Sequence, residues 1–265
     1  MLLAMHIGNT AISLAVYGTD NDGIPSTQQL RFCAEISAKP IRTADEYAVL
    51  LGQIFCLHDC PLSVITDVIL SSVVPALTEV LRAAVARFTS VRPLIVSSGI
   101  KTGLRIRIDN PSQLGADLCA MAVGAAAYTH GPTVIASLDG ATTLTVLTAP
   151  DELAGVIIMP GLQSSAQALD RDAAQLTEIP LEAPRRVIGK NTADAIKSGL
   201  LLGCAAQLDG MVTRIADELC IPVSDLTLLA CGRYANRTVP LCRSAFTQVP
   251  HLLFEGLLAI HKRNR

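Results

Sequence analysis

The sequence predicts an α/β fold of two similar halves, and three observations carry that prediction. Strand-like segments alternate with helical stripes, one short hairpin is written twice, and the composition suits a large core. The hairpins are Leu3-Ala4-Met5-His6-Ile7-Gly8-Asn9-Thr10-Ala11-Ile12-Ser13-Leu14 and Val134-Ile135-Ala136-Ser137-Leu138-Asp139-Gly140-Ala141-Thr142-Thr143-Leu144. In each, an apolar strand enters a short turn rich in Gly, Asn or Thr and returns with period-two alternation, as a β-hairpin does. With 265 residues, 50% of them hydrophobic and 17% charged, the chain can bury one large core or two modest ones. That composition excludes disorder.

In order along the chain, strands are expected near Leu2–Ile7, Ala11–Tyr17 and Gln28–Ile36. A helix follows over Ala44–Leu57, because Tyr47, Leu50, Leu51, Ile54 and Phe55 recur on one face. The buried run Val64–Val74 reads as a strand ending at Pro75, which suits the first turn of a helix with the stripe Leu77, Val80, Leu81, Val85 and Phe88. Pro93–Val96 is another strand. The order β-β-β-α-β-α-β is that of a ribonuclease H-like lobe.

From Gly131 a comparable series restarts, with two strands about the second hairpin, a third at Leu153–Met159, then helices and a strand at Leu226–Cys231. An internal duplication is the simplest account, with lobes at 1–112 and 113–265. Between them, Pro111 marks a helix start, and Leu114, Leu118, Met121, Ala122 and Ala125 form its stripe. Asp117 then falls in the first turns. A carboxylate there either complements the helix dipole, worth a few tenths to about 1 kcal/mol, or serves as a general base.

Several function classes are excluded by composition. A net charge of −2 with no basic cluster beyond His261-Lys262-Arg263 leaves no footprint for nucleic acid. No apolar stretch is long enough to span a bilayer, and the first residues lack a basic leader pattern, so no membrane association and a cytoplasmic setting are expected. Eight cysteines lie mostly in apolar runs and read as reduced core residues. Cys56-Leu57-His58-Asp59-Cys60 holds three metal-ligand types, but no second Cys/His pair accompanies it, so a helix end is favoured over a zinc site.

The twofold hairpin suggests two lobes clasping a nucleotide, since glycine lets backbone N–H groups approach phosphate and hydroxyl neighbours add donors. A wider set of segments carries a family resemblance: Gly8-Asn9-Thr10, Ser72-Val73-Val74-Pro75, Lys101-Thr102-Gly103-Leu104, Asn110-Pro111, Gly115-Ala116-Asp117, Ala141-Thr142-Thr143, Pro160-Gly161, Gly189-Lys190-Asn191-Thr192 and Glu255-Gly256-Leu257. Each alone is weak; their order and spacing are specific. From Leu2 to about Arg263 the chain resembles a type III pantothenate kinase, of the superfamily that holds acetate and sugar kinases, heat-shock ATPases and actin.

The resemblance implies two ribonuclease H-like lobes in an actin-like ATPase fold, with a nucleotide cleft between them. It implies phosphoryl transfer from ATP, with Mg2+, to the primary hydroxyl of pantothenate, the first step toward coenzyme A. Carried over by position, His6, Gly8, Asn9, Thr10, Gly140 and Thr142 would meet the nucleotide, and Asp117 would be the catalytic base. Gly115, Ala116, Asp117, Leu118 and Thr192 would meet pantothenate, Thr192 from the other subunit of a homodimer. A monovalent cation, K+ or NH4+, would sit at Ser137 or Asp139. From the residues themselves, Thr192 is equally an N-cap.

Departures from the family pattern fall at the same places. His6 and Ser137 stand where the resemblance implies aspartates, Gly140 where it implies threonine, Leu118 where it implies arginine, and Ile108 where it implies tyrosine. Arg233, in Ala230-Cys231-Gly232-Arg233-Tyr234-Ala235, replaces a glycine that would admit the nucleoside. Neutral imidazole is a poor partner for Mg2+. Asp139 would face the same side as residue 137, displaced along the strand by about 6–7 Å. Two readings stay open on the sequence: an ATP-dependent pantothenate kinase, or a catalytically weak or inactive relative that binds a metabolite or partner.

Overall fold

The computed structural model describes residues 1–20, 23–97, 99–172 and 180–265. Strands Leu2–Ile7 (β1), Ala11–Thr19 (β2) and Pro25–Ser37 (β3) form an antiparallel meander. Helix Ala44–Leu57 (α1) leads to Asp67–Ser72 (β4), parallel to β1, and helix Pro75–Val85 (α2) leads to Leu94–Ile95 (β5), parallel to β4. The first sheet therefore runs β3-β2-β1-β4-β5.

After strand Arg105–Ile106 (β6) and helix Ala116–Ala125 (α3), the series repeats. Thr133–Leu138 (β7), Ala141–Ala149 (β8) and Glu152–Pro160 (β9) form a second meander. Helices Leu162–Asp172 (α4), Thr192–Lys197 (α5) and Gly203–Glu218 (α6) precede Thr227–Cys231 (β10), parallel to β7. Helix Ala235–Thr238 (α7), strand Thr247–Gln248 (β11) and helix Leu252–Asn264 (α8) complete the chain. The second sheet is β11-β10-β7-β8-β9-β6.

Apart from β6, this order repeats that of the first sheet, and so does a local irregularity. Register shifts at Val16/Tyr17 and Tyr17/Thr19 recur at Val146/Leu147 and Leu147/Ala149. A bulge redirects side chains and is costly to acquire by chance, so its recurrence supports duplication.

The chain divides into two compact units. The first comprises Met1–Leu104, Asp109–Gly124 and Leu252–Arg265, and the second Arg105–Ile108 and Ala125–His251. The first unit is thus discontinuous in sequence, unlike the continuous ranges 1–112 and 113–265. The cause is packing on both faces of β1. Leu3, Met5 and Ile7 join Tyr47, Leu51, Phe55, Leu77 and Leu81 of α1 and α2. Leu2 and Ala4 join Ala120 and Val123 of α3 and Phe254, Leu257, Leu258 and Ile260 of α8. A strand covered on both faces must be apolar throughout, which is why β1 alternates so weakly. In the second unit, Val134, Ala136, Leu138, Leu144 and Val146 pack against Leu201, Leu208, Val212 and Ile215.

Local signals explain most element ends. Thr43 and Glu46 form a capping box on α1, with Thr43 N donating to Glu46 Oε2 at 2.8 Å and Glu46 N to Thr43 Oγ1 at 3.3 Å. Pro75 occupies the first turn of α2.

Other expectations are corrected. Pro111 opens a 3-10 turn, Pro111–Gln113, capped by Asn110, and α3 begins only at Ala116. The strand expected over Val64–Val74 is confined to Asp67–Ser72, because Leu62–Val64 is a 3-10 turn and α2 starts at Pro75. Cys60, Cys119, Cys204 and Cys231 are buried, but Cys33, Cys56 and Cys220 are exposed. Cys33 sits between inward Phe32 and half-buried Ala34 on β3, so alternation turns it outward. His58 caps α1 and stacks on Phe32 at 4.1 Å, and no metal-binding group of three His, Cys, Asp or Glu occurs among the described residues. Among them, too, no helix is long and apolar enough to cross a membrane.

Candidate active site

The first hairpin turn belongs to the first unit. Gly8 N–H donates to Ala11 O at 2.9 Å, which closes the turn and leaves Asn9 and Thr10 exposed at its tip. His6 precedes it on β1. By strand alternation His6 shares the face of Leu2 and Ala4, the face that α3 covers. Its Nδ1 lies 3.4 Å from Ser71 Oγ, and a Cβ on Gly8 would sit 3.4 Å from its Nε2. The ring therefore leans over the turn with one nitrogen toward a serine and the other toward the hairpin.

Asp117 stands in the first turn of α3, half-buried. A Cβ on Gly115 would overlap Asp117 Oδ1, so the carboxylate folds back over the glycine. A side chain at residue 115 would oblige that carboxylate to turn aside. The Cys119 thiol is pushed up to about 11 by burial and by the negative charge of Asp117, so that thiol stays protonated and inert at neutral pH. Ala116 is half-buried, while Leu118 is buried and offers no polar group.

The second hairpin belongs to the second unit and is built differently. Asp139 N donates to Ala141 O at 3.1 Å, and the Asp139 carboxylate is already engaged. Its Oδ1 accepts Arg233 N–H at 2.9 Å, and its Oδ2 lies 3.4 Å from Ser137 Oγ. Asp139 faces the same side as residue 137, and from its place in the turn its side chain bends back to the serine. Gly232, with φ of 95°, allows this contact, since a Cβ there would lie 2.7 Å from both Asp139 Oδ2 and Leu138 O. Tyr234 N donates to Leu138 O at 3.0 Å, completing a double tie between the turn and the loop after β10.

That tie decides the fit of a monovalent cation. Such an ion wants several oxygens converging on it, and Asp139 supplies the lone carboxylate of this turn with both oxygens committed to protein donors. Ser137, buried, adds only a hydroxyl that faces Asp139. The residues present do not fit the cation.

Gly140 has open space where a Cβ would stand, among the described residues, so the glycine is not sterically required. Gly161 is: a Cβ would overlap Gly140 O and lie 2.7 Å from Asp139 O. Thr142 does not stand at the tip; it is buried on the Leu144 face, beside the Cys204 thiol.

A depression of about 190 Å³ lies at the carboxyl ends of parallel strands β10 and β11, lined by Ala230, Cys231, Gly232, Arg233, Asn236 and Gln248. In sheets of this kind ligands bind beyond the carboxyl ends of parallel strands. Thr192 is exposed at the first position of α5, but the N-cap is Asn191, whose Oδ1 accepts Asp194 N–H at 2.8 Å. Gly189 abuts that first turn, where a Cβ would overlap Ala195 N.

The site residues thus gather in four places: the first turn with His6, the start of α3, the second turn with the loop after β10, and the start of α5. The sequence profile of the type III pantothenate kinases matches residues 2–214. Curated relatives of that name are 36% identical in Streptomyces avermitilis, across 100% of this chain and 98% of the relative, and 36% identical in an Exiguobacterium strain, across 100% of both. The chain belongs to the type III pantothenate kinase family.

Solved structures agree on the fold of this family member. A Baf family transcriptional activator from Campylobacter jejuni aligns with a TM-score of 0.59 and 15% identity, covering 99% of this chain and 98% of its own. Component A of (R)-2-hydroxyglutaryl-CoA dehydratase from Acidaminococcus fermentans aligns with 0.54 and 12%, covering 100% and 99%. At such identities these are likenesses of fold alone. The fold is of the actin-like ATPase and sugar kinase type.

Two features of this kinase-family site left no trace in the sequence patterns. The tie from Asp139 to Arg233 spans 94 residues. The backing of α3 by α8 depends on glycines that helical periodicity treats as neutral.

Proposed function

We propose that this chain transfers the γ-phosphoryl group of ATP to the primary hydroxyl of pantothenate, giving 4'-phosphopantothenate, with Asp117 as the base. The observation that carries the activity is full-length kinship with type III pantothenate kinases, and the relatives give no support to a non-catalytic reading. Asp117 is favoured as base by its place in the first turn of a helix on the His6 face of the first sheet.

An alcohol is a poor nucleophile until a base within hydrogen-bond reach takes its proton as the bond to phosphorus forms. Asp117 takes that proton, while Gly115 and Ala116 admit the substrate chain and Leu118 offers it an apolar contact. In the first turn, phosphate oxygens meet Asn9 and Thr10, because the Gly8 N–H is spent on Ala11. His6 Nε2 donates to phosphate when the Ser71 hydroxyl donates to Nδ1. The nucleoside occupies the depression beside Gly232, with Arg233 and Gln248 at its rim.

The first turn carries no carboxylate, so Mg2+ would be held chiefly by the ATP phosphates themselves, whose charge it would offset during transfer. Thr192 reaches substrate from a second copy of the chain in a homodimer, and the enzyme works in the cytoplasm.

The test is Asp117→Asn, assayed by ADP release with pantothenate present. The expected loss in kcat is about 10²–10⁴-fold, with ATP binding by titration calorimetry unchanged. Equal turnover in variant and wild type would remove Asp117 from the mechanism.

A further inference from the structure

Helices α3 and α8 touch main chain to main chain, at two glycines. A Cβ on Gly256 would overlap Ala120 O, with Ala120 C at 2.6 Å and Gly124 N at 3.1 Å. A Cβ on Gly124 would lie 2.5 Å from Leu252 O and 3.0 Å from Gly256 N. Most helix pairs are held about 8–10 Å apart by intervening side chains, whose rotamers absorb small misfits. Here nothing intervenes, so neither helix can yield by turning a side chain.

From these contacts we infer that Gly256 is a positioning residue for the phosphoryl transfer: it sets the seat of α3 against α8, and thereby the place of Asp117. The inference rests on the reading of Asp117 as base.

Two further observations anchor α8. Leu257 and Ile260 are fully buried, and with Phe254 and Leu258 they pack on Leu2, Ala4, Tyr17 and Ile69 of the first sheet. Its last turn is clamped as well. Asn264 accepts Lys101 N–H at 3.1 Å and donates to Lys101 O at 2.9 Å, while Arg263 donates to Thr102 O. Helix α3, ten residues or about 15 Å long, is itself buried from Leu118 to Ala125, so the pair is packed on both sides. Ala120 lies within one helical turn of Asp117, so a shift at the contact is transmitted nearly whole to the carboxylate.

That carboxylate lies over Gly115, in the space a Cβ would take, and is carried by the first turn of α3. A methyl group at residue 256 meets the α3 main chain and parts the two helices, displacing Asp117 relative to the first sheet by roughly 1 Å, a misplacement that costs about 10²-fold in rate when the displaced group does the chemistry.

The experiment is a cycle of wild type, Gly256→Ala, Asp117→Asn and the double variant, each assayed for kcat and for ATP affinity by calorimetry. Gly256→Ala should lower kcat about 10²-fold with ATP affinity unchanged within twofold. In the Asp117→Asn background the same change should lower turnover less than twofold, because the group being positioned is gone. Losses that multiply would overturn the inference while leaving the base intact, and so would a wild-type rate in Gly256→Ala. A wild-type rate in Asp117→Asn would instead sink the base reading itself. Native-state hydrogen exchange on the wild type provides a measurement that needs no variant. The amides of α3 from Ala120 to Gly124 and those of α8 should open with one shared free energy, and α8 opening alone far below α3 would overturn the inference.

Discussion

Gly232→Ala strikes the tie between the second hairpin and the loop after β10. At φ of 95° the position lies where L residues are strained, costing about 1–2 kcal/mol. The new Cβ would meet Asp139 Oδ2 and Leu138 O, each at 2.7 Å. The carboxylate can swing away, but the carbonyl belongs to the backbone at the end of β7, so the loop must retreat. Retreat breaks Arg233 N–H to Asp139 Oδ1, now 2.9 Å, and Tyr234 N–H to Leu138 O, now 3.0 Å. At about 1 kcal/mol net for each bond, part of which water replaces, the total is about 3 kcal/mol. Calorimetry should then show a Tm lower by about 6–12 °C. Because Gly232 and Arg233 also line the depression of about 190 Å³, ATP affinity should fall with it. A Tm within 2 °C of wild type and unchanged ATP binding would refute the reasoning.

Two other predictions follow from the same structure. Turnover should be the same in K+, NH4+ and a bulky organic cation at constant ionic strength, because Asp139 is committed to Arg233 and Ser137; a tenfold or greater requirement for K+ or NH4+ would show that the carboxylate still binds an ion. His261 should make stability depend on acid: burial depresses its pKa below the usual 6.5, against the pull of Asp67 Oδ1 at 3.3 Å and with Arg265 adding to the depression. The folded state then takes the proton less readily than the unfolded one, so this contribution is intact above about 6.5 and is lost as pH falls toward the lower folded value. Urea midpoints should drop across that window in wild type and flatten in His261→Gln; parallel curves would assign the drop to other groups.

Much of the fold was legible because its signals are local. The hairpins at Gly8 and Gly140, the stripe of α1 and the proline at the head of α2 each rest on residues within one or two turns of one another. Asp117 was placed in a first turn even though Pro111 was credited with the wrong helix. Asn110 caps the 3-10 turn instead, and α3 starts without it. What stayed hidden depends on partners far along the chain. Asp139 looked like a misplaced ligand until Arg233 came beside it. The Gly161 and Gly189 motifs carried no evident reason until Gly140 O and Ala195 N were found against them. Helix α8 was not anticipated as an element, because Gly256 interrupts its apolar pattern at the place where it meets α3.

The return of α8 to the first sheet has a consequence for how the molecule is made. On a ribosome, residues 1–104 emerge well before Leu252–Asn264, and until α8 follows only α3 can cover this face of β1 and β4. Leu2, Ala4 and Ile69 therefore stay partly uncovered, open to solvent or a chaperone, until α8 has emerged. The earlier part of this unit waits on α8 to seal it.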